Sequence, residues 1–514
     1  MLLDFAVGRD LLVGLLPELV LTAWALLLTL HAAWRHKEPG AQRTVGWLSL
    51  VGTVGAMVAA AWLWKNGARV GSPTSLIAVD SFRWAVTLII LAGVALSTIV
   101  AIYYLDREAL NIPEYHVLVL FAAVGMLFMV SGSDLLVIFL GLETMSVSIY
   151  VLAGINRRSV FSAEAALKYF LLGAFASAFL LYGIALLYGA TGSTQLEVIG
   201  SHTGFMAQSG LKLLFYAGSA LLLVGFAFKV AAVPFHMWAP DVYDGAPTPV
   251  TVLMAATVKT AAFGALVRVL LQALPATQAD WSQVVWWLAA ATMIVGNLLA
   301  LAQRPLKRML AYSSVAHAGY LLVALVPGSV AGAGAFLFYL AFYTLATVGS
   351  FAVVIALGRQ GERDVTLDDL AGLSESDPVL ALVMAVSMLS LLGFPATAGF
   401  IGKWYILATA TGGNQTAIAV LLVLTSVISA GYYLPVIMSM YMKPRLHGRS
   451  HEGATLPAVV RGMLVLVLLA TMGFGIWPGQ ALNAARNGAS SFMRQRVTMV
   501  PPLRIPPNHP APGR

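Results

Sequence analysis

The sequence predicts an all-α polytopic membrane protein of about fourteen transmembrane helices, with two inverted five-helix repeats and two proline-broken helices. Three observations predict it. Hydrophobic residues make up 59% of the 514-residue chain and charged residues only 10%, against about 25% charged in a soluble domain. Apolar runs of the ~20 residues that span a bilayer follow one another along nearly the whole chain. Four lysines, Lys168, Lys229, Lys259 and Lys403, lie inside those runs, where an ammonium costs roughly 2.5–3.5 kcal/mol. No soluble stretch is long enough to be a catalytic domain. The absence of cysteine excludes disulfides, thiolate metal sites and cysteine-held iron–sulfur clusters within this chain. The net charge of +8 lies in short loops, so it reads as membrane topology and not as affinity for nucleic acid.

In chain order the spans fall near 11–31, 45–64, 78–104, 114–131, 134–154, 162–190 and 211–234. They continue near 247–273, 284–303, 308–326, 330–357, 379–411, 416–441 and 458–478. The first is too long for a signal-peptide core, and its basic flank, Arg35 and Lys37, follows it. It is therefore expected to be retained, with the N-terminus outside. Asp134, after Ser-Gly-Ser, is expected to cap the fifth span.

Charge gives the orientation. With the N-terminus outside, the inner loops hold fifteen basic residues, from Arg35, Lys37, Arg43, Arg107, Arg157 and Arg158 through Arg304, Lys307 and Arg308 to Arg359, Arg363, Lys443, Arg445, Arg449 and Arg461. The outer loops hold three, Lys65, Arg69 and Lys212. That bias places both termini outside. The tail after Trp477 breaks the pattern with five arginines, and its Pro-rich end, VPPLRIPPNHPAPGR, reads as a disordered extension.

The buried charges repeat. Glu143 to Lys229 spans 86 residues, and so does His317 to Lys403, an offset of 174 between the pairs. Lys229 lies five residues before Pro234 and Lys403 eight after Pro395. Proline removes a donor and clashes with the preceding turn, and paired broken helices in two halves point to a transport pathway. The expected organisation is a three-helix segment over 1–110, repeats over 111–274 and 281–442, and a C-terminal helix with a disordered tail over 455–514. Glu143 and Lys229 are expected within salt-bridge or one-water reach. The matched residues should line up with Lys259 as one polar file.

The stretches LGLETMSVSIYVLAG, SAEAALKYFLLGAFASAFLLYGIALLYG, FKVAAVPFHMWAPDVYDGAPTPVT, RMLAYSSVAHAGY and GFPATAGFIGKWY resemble the subunit N family of bacterial NADH–quinone oxidoreductase, respiratory complex I. The similarity is strong from about Asp134 to Tyr433 and weaker at PELVL, 17–21. The block DVYDGAPTPVT separates this family from its L and M relatives. Pro395-Ala396 departs from the two prolines common there, which softens the second break. The resemblance implies a proton-translocating membrane-arm subunit with no redox chemistry of its own. NADH, flavin (FMN), iron–sulfur clusters and quinone would belong to partner subunits. Antiporter-like neighbours, small membrane subunits, the lateral helix of subunit L and lipid would surround the chain in a bacterial inner membrane, both termini periplasmic.

It also implies residue roles. Glu143 matches the fifth-helix glutamate and Lys229 the lysine of the broken seventh helix that pairs with it. Lys259 matches the eighth-helix lysine linking the half-channels, Lys403 the twelfth-helix lysine facing the outer exit, and His317 the tenth-helix histidine on the axis. Lys168 matches a sixth-helix lysine near it. Physically, a nearby carboxylate favours an ammonium and burial disfavours it, so moving the partner switches the proton.

Plainer readings stand beside these. Lys168 and Glu164 at i,i+4 also suit a structural ion pair, and His317 a packing histidine. His236 suits lining a channel or capping freed carbonyls, and Asp241 and Asp244 suit caps or partners of basic loops. A subunit of an Mrp-type cation/proton antiporter and a non-conducting structural membrane subunit are the alternative functions.

Overall fold

A computed structural model describes residues 5–35, 37–66, 76–206, 208–358, 360–361, 365–444 and 456–490. The first helices are α1 (Phe5–Gly14), α2 (Leu16–Arg35), α3 (Ala41–Asn66), α4 (Ser81–Arg107) and α5 (Glu114–Ser131). Next come α6 (Leu135–Ala153), α7 (Val160–Thr191), α8 (Leu196–Met206), α9 (Lys212–Val230), α10 (Trp238–Gly245), α11 (Thr248–Leu253) and α12 (Lys259–Arg268). After them run α13 (Gln278–Leu301), α14 (Leu306–Leu325), α15 (Val330–Leu357), α16 (Leu373–Ser376), α17 (Pro378–Leu392) and α18 (Ala398–Gly412). The last are α19 (Thr416–Met442), α20 (Ala458–Ile476) and α21 (Gly479–Ala489).

Twelve spans among the described residues are long and apolar enough to cross a membrane. One of them, Thr248–Ala273, runs through α11, a π turn at Met254–Val258, α12 and a second π turn at Val269–Ala273. The span expected at 308–326 is the more polar helix α14, and that expected at 379–411 is divided into α17 and α18. Helices apolar on all sides are either core or lipid-facing, and both kinds occur. Thr248–Ala273 is buried along its length, while α7 and α19 turn Phe175 and Val427, each 67% exposed, outward.

Side-chain caps start several helices. Asp134 accepts from the Leu136 amide at 2.8 Å, as its position in the sequence predicts. Ser329 accepts from Gly332 at 3.0 Å. Where α5 crosses α6 the backbones meet at glycines: a Cβ on Gly125 would lie 2.6 Å from the Gly141 carbonyl oxygen. Small residues permit such close packing in lipid.

Both expected breaks are present. Helix α9 stops at Val230, with Ala231 left-handed at φ +59°, and α17 stops at Leu392, with Gly393 at φ +87°. Each closes in the same way: Ala232 donates to Ala227 O at 2.8 Å, and Phe394 to Leu389 O at 2.9 Å. This six-to-one bond is the Schellman closure.

Two β-bridges recur along the chain at one spacing, and it is not 174. Asp134 bridges Gln195 and Pro305 bridges Thr366, an offset of 171 at both positions (305 − 134 and 366 − 195). At the breaks the offset falls to 162 (393 − 231). The difference of nine residues lies between them, where the first half carries α8 and the second only the short α16 and a 3₁₀ turn at Leu367–Leu370. At 171, Ser314 and not His317 is the counterpart of Glu143, and Ser146 is the counterpart of His317. Lys229 precedes its break and Lys403 follows its own, so they are not equivalent positions either. Similar chemistry recurs at 174 without structural equivalence.

The chain beyond Trp477 is not all tail. Helix α21 packs Leu482, Ala485 and Ala489 against α15 and α4, because small and apolar residues at i, i+3 and i+7 give it a buried stripe. The Pro-rich end, with Arg69, Arg359, Arg363, Arg445 and Arg449, lies outside the described residues.

Candidate functional site

Lys229, on the last turn of α9, is 2% exposed and donates to the Ser146 hydroxyl at 2.8 Å. The rings of Tyr150 and Tyr169 face its ammonium at 5.4 and 5.2 Å. Glu143 lies one turn before Ser146 on α6, half-buried, and accepts from the Ser177 hydroxyl of α7. The two charges form no ion pair within 4.0 Å. Of the two expected arrangements, salt-bridge or one-water reach, the direct salt bridge is not formed. The ammonium meets the serine three residues on, while the carboxylate turns to the neighbouring helix.

Lys259 follows the π turn directly and is 1% exposed. It donates to both the carbonyl, at 2.6 Å, and the hydroxyl of Ser314. Tyr343 donates to the same hydroxyl at 2.9 Å, and its ring lies 5.2 Å from His317. The His317 ring nitrogens meet the hydroxyls of Tyr339 at 2.6 Å and Tyr433 at 3.0 Å. Edge-on to His317 at 5.3 Å is Tyr320, and the Lys403 ammonium lies 4.4 Å from the centre of the Tyr320 ring. Lys403 donates to the freed Leu392 carbonyl at 2.9 Å and to Ser426 at 3.2 Å. Lys259, His317 and Lys403 thus belong to one contiguous set of contacts.

Between Lys229 and this set stand aromatic residues. Tyr169 stacks on Trp238 at 4.5 Å, Trp238 meets Tyr243 at 5.8 Å, and Tyr243 adjoins Ser314. The Trp238 indole donates to Phe228 O at 2.9 Å, adding a second donor to a carbonyl that also takes the Ala231 amide at 3.0 Å in the first break. His236 lies in that break within hydrogen-bonding reach of Pro234. Both breaks therefore hand their carbonyls to protein donors, as irregular backbone at membrane depth requires.

Lys168 is elsewhere. It is 41% exposed and pairs with Glu164 at 2.8 Å and Asp241 at 2.9 Å, in an open cleft of about 630 Å³. Arg308 joins at 3.0 Å to Asp241 and 3.6 Å to Asp244. Burial pushes the Asp241 carboxyl up, but hydrogen bonds from Lys168 and Arg308 outweigh it and hold the group below the usual carboxylate range. Of the six residues singled out from the sequence, this one leaves the buried file. A lysine nine residues into a helix reaches the helix end and its polar cleft.

Sequence reasoning missed two buried ion pairs, Glu18 with Arg83 at 2.6 Å and Asp80 with Arg268 at 2.7 Å. The signal was available, since Glu18, Arg83 and Arg268 are charges within apolar runs like the lysines. It also missed Asn297, fully buried between Tyr320 and Tyr432 at 3.0 and 2.8 Å. Neutral residues in an apolar run give no comparable warning.

Residues 131–429 match the family described as NADH:quinone oxidoreductase/Mrp antiporter, transmembrane. The chain is 46% identical over 490 residues to a NADH-quinone oxidoreductase subunit N from Gemmatimonas aurantiaca, covering 93% of each. To the subunit N of Trichlorobacter lovleyi it is 44% identical over 473 residues, covering 92% of this chain and 96% of that protein. Among solved structures it is similar to a chain of respiratory complex I from Thermus thermophilus with bound aureothin, with a TM-score of 0.76, 38% identity, 92% of this chain covered and 100% of that one. A chain of the Mrp complex from Dietzia shares the fold at a TM-score of 0.83 and 20% identity, over 95% of this chain and 99% of that one.

Proposed function

The chain belongs to the subunit N family of NADH-quinone oxidoreductases, and from that premise we propose that its buried Glu143, Lys229, Lys259, His317 and Lys403 are the groups through which the complex moves protons. It is a membrane-arm subunit of a proton-pumping enzyme complex. Electron transfer from NADH through FMN and iron–sulfur clusters to quinone takes place in partner subunits. This chain converts the energy released into proton movement. Antiporter-like subunits, small membrane subunits and the lateral helix of an L-type subunit are its neighbours in the arm. The chain sits in the bacterial inner membrane with both termini periplasmic and the Lys168 cleft cytoplasmic, and residues 111–274 and 281–442 act as its two antiporter-like halves.

The observation that supports this most is the chain of contacts from Lys259 through Ser314, Tyr343, His317 and Tyr320 to Lys403. Buried ammonium groups at membrane depth are rare and mark proton or ion paths. A merely structural subunit gives no account of three. In this reading Lys259 joins the halves, since its buried ammonium, carried by the first repeat, bonds Ser314 on α14 of the second. Lys168 with Asp241 and Arg308 sets the charge of the cytoplasmic cleft and carries no proton along the file.

Neutralising Lys259 tests it. Membranes in which Lys259→Ala assembles and transfers electrons normally should lose most of the proton-to-electron ratio. An unchanged ratio sinks the reading.

A further inference from the structure

The Lys229 ammonium has three N–H donors, and one hydrogen bond, to Ser146, is made. Three rings lie around it: Tyr169 at 5.2 Å, Tyr150 at 5.4 Å and Phe228 at 5.9 Å. Tyr150 comes from α6 and Tyr169 from α7, and the two rings meet edge to face at 4.8 Å. The two side chains are 9% and 0% exposed, and the Tyr150 hydroxyl adjoins Ser146. Buried tyrosine hydroxyls are ordinarily bonded. What these two residues present to Lys229 is the ring, with centres at 5.4 and 5.2 Å and no hydrogen bond from the ammonium to either hydroxyl. Room is made for them: a Cβ on Gly173 of α7 would lie 2.8 Å from Tyr150 Cζ. The same pairing recurs at Lys403, 4.4 Å from the Tyr320 ring.

We propose that Tyr150 and Tyr169 are positioning residues for proton transfer at Lys229, an aromatic cradle whose ring faces stabilise the ammonium form. A cation over a ring is attracted by the ring quadrupole, and more strongly when desolvated. The rings interact with the ammonium and not with the neutral amine. They therefore raise the proton affinity of Lys229 against the cost of burial, independently of where Glu143 points. The titratable groups facing Lys229 are Glu143 and Tyr150 from α6 and Tyr169 from α7. Lys259, on the neighbouring α12, is turned to Ser314. When Lys229 gives its proton to the Glu143 carboxylate, an amine and a carboxylic acid result, and the cradle favours the return step. The inference rests on the proposed role of Lys229 in translocation.

The test uses the whole complex in membranes, with proton-to-electron ratio followed against pH. Tyr150→Phe and Tyr169→Phe keep the ring and should leave the profile within a few tenths of a pH unit. Tyr150→Leu and Tyr169→Leu remove it and should move the fall in pumping to lower pH by about one unit, a tenfold loss of proton affinity. If a leucine variant fails to assemble, fluorinated phenylalanines at 150 and 169 weaken the ring face at nearly constant volume and should shift the profile with fluorine number. Phenylalanine variants that shift as far as leucine ones, or leucine and fluorinated variants with the wild-type profile, overturn the cradle. Lys259→Ala and Lys229→Ala run alongside: if both pump normally, it is the translocation reading that has failed. If they lose pumping while the ring variants do not, only the cradle falls.

Discussion

Arg268 and Asp80 show most plainly how single residues are constrained here. The guanidinium is fully buried and meets the carboxylate through two nitrogens, at 2.7 and 3.1 Å, with a third donor on the Val130 carbonyl. Removing one partner of such a pair leaves an uncompensated charge, at a cost of roughly 3–5 kcal/mol. Arg268→Ala should therefore lower the thermal unfolding midpoint of the purified protein clearly, whereas Arg43→Ala, on the exposed Arg43–Asp106 pair, should change it little, in keeping with about 0–1 kcal/mol for surface pairs. The lysines were legible from the sequence for the same reason: each charge in an apolar run demands an explanation. Their partners were not. Ser146 and Ser314 are unremarkable in sequence, and only the fold brings them to Lys229 and Lys259.

At the scale of elements the second break joins conformation to chemistry. Gly393 is left-handed at φ +87°, and a Cβ there would lie 2.9 Å from Lys403 Cδ. An L-residue in that conformation costs about 1–2 kcal/mol, and the methyl would displace Lys403 from the Leu392 carbonyl. Gly393→Ala should thus lower both the unfolding midpoint and the proton-to-electron ratio, while Gly462→Ala, which meets nothing within 4 Å, serves as the control that leaves both intact. The prolines announced both interruptions in the sequence. They did not announce the nine-residue slip in register between the halves, because spacing alone counts residues and cannot tell a helix such as α8 from the shorter turn that replaces it.

For the whole molecule, the distribution of basic residues carries the topology. The chain has no cysteine, so single introduced cysteines report sidedness without background. Arg158→Cys should react with a membrane-impermeant thiol reagent only from the cytoplasmic side, and Gly210→Cys only from the periplasmic side. The reverse pattern overturns the orientation. The helical, multi-pass character needed no tertiary information, since 59% hydrophobic residues and repeated apolar runs of spanning length allow little else.

The sequence by itself determined the fold class, the two breaks and the family, and it named the buried charges by their cost. These follow from local properties: hydropathy over ~20 residues, the missing donor of proline, and motifs contiguous in the chain. The tertiary structure alone decided who meets whom. It turned Glu143 to Ser177 and Lys229 to Ser146, moved Lys168 into an open cleft, gave Ser314 the position that corresponds to Glu143 at the 171-residue spacing, and stacked Trp238 on Tyr169. The physical reason is that a hydroxyl or a ring costs little in an apolar helix wherever it points. Its role is fixed by helix rotation and by neighbours far away in sequence, such as Lys259 and Ser314, 55 residues apart.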